Sequence, residues 1–80
     1  MKALRLFLRL GCHLCEQMQE ELRPILRDRE VPLELIDVDR IPGKLAEYGE
    51  RVPVLESASG ECLSEFFLDE KRLIDYLDAG

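Results

Sequence analysis

A change in hydrophobic periodicity at Gly11 constrains this chain more than any other feature of its sequence. From Ala3 to Leu10 leucines alternate with other residues, the period of two that is typical of a β-strand. From His13 to about Arg29 apolar residues instead recur every three or four positions, as on the buried face of an amphipathic helix. The sequence therefore predicts a strand followed directly by a helix. The inner face of this strand is predicted to carry four leucines, Leu4, Leu6, Leu8 and Leu10.

The rest of the chain predicts one further strand, a short helix, a hairpin and a last helix. A strand that follows a crossover helix pairs in parallel with the strand before the helix, so the first two strands should be parallel neighbours. We expect a single α/β domain over residues 1–80, in the order β-α-β-α-β-β-α, with a mixed four-stranded sheet flanked by helices. The predicted elements are a strand at Leu33–Val38, a helix at Gly43–Tyr48, hairpin strands at Val52–Leu55 and Glu61–Leu63, and a helix capped by Asp69.

Charge and hydropathy exclude several classes of protein. The net charge of −6 argues against a nucleic-acid-binding surface, which needs clustered Lys and Arg. Arg5 and Arg9 interrupt the apolar run in MKALRLFLRLGC, so we expect no secretory signal. No apolar segment approaches the roughly 18 to 20 residues that a bilayer span requires. We therefore expect a cytoplasmic protein without nucleic-acid or membrane partners.

Cys12 and Cys15 form a C-x-x-C pair at the junction between the predicted strand and helix. The first thiol falls at the N-terminus of the helix, where unpaired backbone N–H groups and the positive end of the helix dipole stabilise a thiolate. Cys12 should be the more acidic thiol, and Cys15, one turn deeper, should lie within bonding distance and be more shielded. This asymmetry favours an exchange reaction in which Cys12 attacks a substrate disulfide and Cys15 resolves the mixed disulfide. His13 would either lower the pKa of Cys12 when protonated or lie in solvent.

Two other interpretations of the cysteines stay open. Cys12, His13, Cys15 and Cys62 have the donor atoms of a zinc site, although Cys62 lacks a neighbouring Cys or His to complete a second ligand pair. The pair at positions 12 and 15 could also be two small structural residues, but packing alone does not favour their place between a strand and a helix. We interpret Cys62 as a buried or edge residue of a short strand rather than a third redox group.

The order of strand, C-x-x-C, helix, strand and Val-Pro hairpin resembles the thioredoxin fold and, within it, the short glutaredoxin-like family. The resemblance covers nearly the whole chain. Its second part is Tyr48-Gly49-Glu50-Arg51-Val52-Pro53-Val54, which is similar to the segment that carries a cis-proline facing the cysteine pair in that fold. The resemblance implies a cis Val52–Pro53 bond, with Val52 offering backbone hydrogen bonds to an extended substrate beside Cys12. The residues alone also allow a trans proline that starts an edge strand.

The chain departs from the glutathione-using members of the family at two places. Those members typically carry C-P-Y-C, where this chain has His13 and Leu14 between its cysteines. They also carry a Gly-Gly pair before the last helix, where this chain has Phe66-Phe67. Arg9, three positions before Cys12, does match the basic residue that could meet a glutathione carboxylate. The resemblance thus implies no bound cofactor and leaves glutathione open as a co-substrate.

Together these observations predict a thiol–disulfide oxidoreductase. Its substrate would be a disulfide-containing protein or a small-molecule thiol, and a reductase that the sequence does not identify would recycle it. The alternatives are a non-enzymatic module of the same fold that docks to a redox partner through Phe66-Phe67-Leu68, and a metal-binding protein. The predicted site residues are the catalytic Cys12 and Cys15 and the substrate-binding Arg9, His13, Val52 and Pro53.

Overall fold

The chain folds into a four-stranded sheet with helices on both faces, as the computed structural model shows for residues 3–79. The predicted domain also includes Met1, Lys2 and Gly80, which lie outside the described residues. The elements follow the predicted order, with a short 3₁₀ helix added at Val38–Arg40. The strands are β1 (Leu4–Leu8), β2 (Leu33–Asp37), β3 (Val54–Ser57) and β4 (Cys62–Glu65), and the helices are α1 (His13–Arg29), α2 (Lys44–Tyr48) and α3 (Glu70–Asp78).

The sheet has the strand order β2-β1-β3-β4 and mixes parallel and antiparallel pairs. β1 pairs in parallel with β2, as expected for strands joined by a crossover helix, and Leu6 lies opposite Leu35. β1 pairs in antiparallel fashion with β3, and β3 pairs in the same way with β4 through the hairpin. The C-terminal ends of β1, β2 and β4 and the N-terminal end of β3 therefore lie at one edge of the sheet, which we call the site edge.

Helix α1 begins and ends where its sequence provides caps. Cys12 is the N-cap residue, with extended backbone angles, and its side chain accepts a hydrogen bond from the backbone N–H of Cys15. At the other end Glu30 adopts φ 54°, and the backbone N–H of Val31 donates to the carbonyl of Leu26. This left-handed residue turns the chain back toward the sheet, and β2 follows within three residues.

Two clusters of buried side chains hold the helices on opposite faces of the sheet. The larger cluster joins the sheet to α1 and α3, and the smaller one lies under α2 and the 3₁₀ helix. The buried members of the larger cluster are Leu4, Leu6, Met18, Leu22, Leu26, Leu55, Leu63 and Leu73. Those of the smaller cluster are Phe7, Val38, Tyr48 and Val54.

The first strand is shorter than its sequence pattern predicts. β1 ends at Leu8, and the predicted inward position of Leu10 is wrong, because this side chain is 83% exposed. A turn at Leu10 and Gly11, where Gly11 has φ 76°, breaks the alternation before Cys12. On the opposite face of β1, Phe7 is covered by the chain itself, since its ring stacks on Tyr48 of α2 with their centroids 4.0 Å apart, whereas Arg5 is exposed.

Candidate redox site

Cys12 and Cys15 are joined by a disulfide at the N-terminus of α1. Their Cα atoms are 5.2 Å apart, which confirms that the C-x-x-C spacing brings the two thiols together. Cys12 is half-buried and Cys15 is only 3% exposed, so the predicted difference in shielding is also confirmed. The backbone N–H of Cys15 donates to Cys12 Sγ across 3.1 Å. In the reduced protein this N–H and the helix N-terminus would favour a thiolate at position 12.

The Val52–Pro53 segment lies at the site edge, next to the strand that leads into Cys12. Because Phe7 of β1 pairs with Val54 of β3, the end of β1 and the start of β3 are neighbours across the ladder. The Val52–Pro53 bond is cis, as the resemblance implied. Pro53 is fully buried, and its carbonyl accepts a hydrogen bond of 2.9 Å from the backbone N–H of Phe66.

Val52 directly precedes the buried proline. Its side chain is half-buried against the Phe7–Tyr48 cluster. Among residues 3–79, no other group makes a hydrogen bond to the N–H or C=O of Val52. The assignment of Val52 as a substrate-binding residue stays a prediction.

Arg9 is engaged in an ion pair on the β2 side of the cysteines. Its Nε lies 3.1 Å from Oδ2 of Asp39, in the 3₁₀ helix, and both side chains are partly exposed. Asp39 is itself held by a hydrogen bond from its backbone N–H to Asp37 Oδ1. This pairing could not be predicted from the sequence, because the two residues are 30 positions apart. A carboxylate on a substrate would have to compete with Asp39 for the Arg9 guanidinium.

The structure leaves His13 exposed beside the cysteine pair and places Cys62 in a different strand. His13 is exposed as the first residue of α1. Cys62 is half-buried at the start of β4, three residues before the strand reaches the site edge. Burial raises the pKa of the Cys62 thiol, and the Glu65 carboxylate raises it further. Within residues 3–79, no three His, Cys, Asp or Glu side chains cluster closely enough to hold a metal ion.

A buried polar pair, Tyr48 and Glu56, lies next to the Val52 segment and was not predicted from the sequence. Tyr48 is 6% exposed and donates from its hydroxyl to Glu56 Oε2 across 2.9 Å. Burial and the neighbouring Glu56 raise the pKa of the Tyr48 hydroxyl far above its usual value. The Arg51 guanidinium lies 5.3 Å from the centre of the Tyr48 ring and pairs with Glu65 of β4. These contacts tie the loop before Val52 to β3 and β4.

The architecture and the cysteine pair together define a thioredoxin-like protein of redox type. The family profile of the glutaredoxin-like domain (DUF836) matches residues 3–78. The chain therefore belongs to the glutaredoxin-like domain family. No helix of the described residues is long and apolar enough to cross a membrane.

Solved structures agree with this assignment. Protein Ne2328 from Nitrosomonas europaea is 35% identical, with a TM-score of 0.84 over 96% of this chain and 92% of that one. Protein XcR50 from X. campestris is 31% identical, with a TM-score of 0.71 over 96% and 97% of the two chains. A thioredoxin from Fasciola hepatica is 18% identical, with a TM-score of 0.67 over 98% and 79%, and it supports the fold alone. No curated protein matches the chain as a relative.

Proposed function

We propose that this protein is a thiol–disulfide oxidoreductase of the cytoplasm. The observation that carries the proposal is the asymmetric pair at the N-terminus of α1. Cys12 is accessible and its Sγ accepts the Cys15 N–H, whereas Cys15 is buried one turn deeper. An accessible thiolate can attack a substrate, and a buried thiol beside it is protected from competing reactions until the first step has occurred.

The reaction is a two-electron exchange of one disulfide for another. The Cys12 thiolate attacks one sulfur of the substrate disulfide, forms a mixed disulfide and releases the other sulfur as a thiolate. Cys15, as a thiolate, then attacks Cys12 Sγ, which releases the second substrate thiol and forms the Cys12–Cys15 disulfide. The substrate gains two electrons and the enzyme loses two. An external thiol or dithiol reductant must supply two electrons to return the pair to its reduced form.

We propose that glutathione is at most a minor substrate. Arg9 is paired with Asp39, so its charge is already neutralised. Phe66 and Phe67 place two bulky side chains beside Pro53, where the backbone N–H of Phe66 meets the Pro53 carbonyl. A peptide disulfide should therefore be reduced faster than the same peptide carrying glutathione.

Cysteine variants test the proposal directly. Reduction of a peptide disulfide should be abolished by Cys12→Ser. Cys15→Ser should stop turnover while trapping a mixed disulfide at Cys12, visible by mass spectrometry. Cys62→Ser is the matched control and should keep the wild-type rate, because Cys62 lies three residues from the site edge. Wild-type activity in Cys12→Ser would refute the proposal.

Exposed aromatic side chains favour a second candidate, a binding module without exchange activity. Phe66 and Phe67 are 41% and 64% exposed, which suits docking to a partner. Such a module would keep its partner affinity in Cys12→Ser. In the wild type, it would also show no faster alkylation of Cys12 than of Cys15 after reduction.

A further inference from the structure

The position of Phe66 and Phe67 suggests how the proposed enzyme would select substrates. Both residues follow β4 directly at the site edge. The hydrogen bond from Phe66 to the Pro53 carbonyl makes this aromatic pair continuous with the Val52–Pro53 segment. Across the edge, the order is therefore Cys12 after β1, Val52–Pro53 before β3 and the aromatic pair after β4.

Phe66 holds a backbone conformation that a bulky residue rarely adopts. Its φ is 63°, in the left-handed region that favours glycine. The core does not require an aromatic side chain there, since Phe66 is 41% exposed and belongs to neither buried cluster. An unfavourable backbone angle combined with an exposed aromatic side chain points to a role in binding rather than in stability.

Exposed apolar side chains flank the cysteine pair on both sides. Leu10 is 83% exposed just before Gly11, and Phe67 is 64% exposed on the β4 side. The nearby arginines do not offer free charge, because Arg9 pairs with Asp39 and Arg51 pairs with Glu65. The surroundings of Cys12 therefore suit an apolar polypeptide segment better than an anionic small molecule.

The sheet geometry sets the spacing between the end of β1, the strand that leads into Cys12, and the end of β4, which leads into the aromatic pair. Adjacent strands lie roughly 4.8 Å apart, so the two steps from β1 to β4 span about 10 Å. An extended chain advances about 3.3 Å per residue, so this distance corresponds to about three residues of substrate. A pocket of about 300 Å³ opens beside Phe67. Its polar lining residues Ser64, Asp69 and Arg72 already bond to one another or to Glu61, so the pocket offers space beside Phe67 rather than free polar groups.

We propose that this enzyme acts on polypeptide disulfides that carry an apolar side chain about three residues from the reacting cysteine, and that this side chain packs on Phe67. The inference rests on the proposed oxidoreductase function. Val52 would hydrogen-bond to the substrate backbone next to the disulfide, and the aromatic pair would contact the apolar side chain about three residues away.

Two symmetric peptide disulfides test this selection. Each peptide has one cysteine in a Ser-Gly background. The two peptides differ only at the position three residues from the cysteine, which is Leu in one and Ser in the other. The comparison is made with this position on the N-terminal side of the cysteine and again with it on the C-terminal side. Bis(2-hydroxyethyl) disulfide, which has no side chains, normalises the exchange rate of each variant. The wild type should prefer the Leu peptide by roughly five- to tenfold in kcat/KM, as expected for one aromatic–aliphatic contact at a partly exposed site.

Phe67→Ser should reduce this preference to about one, and Phe67→Leu should keep most of it. Leu35→Ser is the matched control, because Leu35 is an exposed leucine on the opposite edge strand, and the preference should persist in this variant. If the wild type reduces no disulfide at all, the proposed function itself fails. If it reduces both peptides without preference, or if Phe67→Ser keeps the preference, the selection is refuted while the exchange activity stands.

Discussion

Tyr48→Phe should destabilise the protein substantially, although it removes a single oxygen atom. The variant keeps the ring that stacks on Phe7, so packing in the smaller cluster is preserved. It removes the donor that bonds Glu56 Oε2 at 2.9 Å, and Glu56 is only 9% exposed. In the native protein no buried side-chain nitrogen or oxygen within residues 3–79 lacks a partner, so this loss would create a new defect.

The magnitude follows from leaving a buried acceptor unpaired. Removal of one partner of a buried hydrogen bond costs about 1–3 kcal/mol, with charged groups toward the upper end. Since Glu56 is nearly but not completely buried, we expect a loss of about 2 kcal/mol. For a domain of this size, that corresponds to a fall in Tm of roughly 8 to 16 °C.

Urea denaturation and thermal unfolding followed by circular dichroism measure this loss. Glu56→Gln is the matched variant, because its amide oxygen still accepts from the Tyr48 hydroxyl, and it should lose only about 1 kcal/mol. The double variant completes a cycle that isolates the interaction between the two side chains. A loss below about 0.5 kcal/mol in Tyr48→Phe, or losses that simply add in the double variant, would refute the reasoning.

Two further predictions concern the same face of the sheet. The pKa values of the Cys62 thiol and the Tyr48 hydroxyl are raised in the fold by burial first and neighbouring carboxylates second, so the unfolded chain loses these protons at lower pH than the folded protein. The contribution of these two groups to stability should therefore be fully present below pH 9.0, the ordinary pKa of the thiol, and decrease as pH rises above it. Urea denaturation of the wild type and of Cys62→Ser at increasing pH measures the thiol's share, and a rise in wild-type stability relative to Cys62→Ser above this pH would contradict it. Gly49→Ala should cost about 1–3 kcal/mol, because a Cβ there would collide with the backbone carbonyl of Leu45; an unchanged Tm would show that α2 can shift to make room.

The order and type of the elements could be predicted because each is specified locally. The helical stripe that includes Met18 and Leu22, the cap at Asp69 and the turn before β4 are properties of short segments. Their boundaries were less well determined. Alternation continues through Leu10 in the sequence, but β1 pairs only as far as its partners extend, and Leu8 is its last residue. Strand ends depend on the neighbouring strands, and a single segment carries no information about them.

Some features of the candidate site could likewise be predicted from the sequence, and others could not. The spacing of Cys12 and Cys15 specified their proximity and their unequal burial, since both follow from one helical turn and its N-terminus. The ion pair of Arg9 with Asp39 could not be predicted, because it joins residues from separate elements. Sequence alone also gave no reason to connect Tyr48 with Glu56.

The sequence by itself determined that a close pair of cysteines lies between a strand and a helix, because periodicity, capping and spacing act over a few residues. Only the tertiary structure decided what surrounds that pair. Pairing β3 beside β1, and β4 beside β3, places Val52 and then Phe66 along the same edge as Cys12. The parallel pairing of β1 with β2 in turn brings Arg9 to the Asp39 carboxylate, 30 residues away. The environment of the sulfur is set by contacts distant along the chain, and these exist only once the sheet has formed.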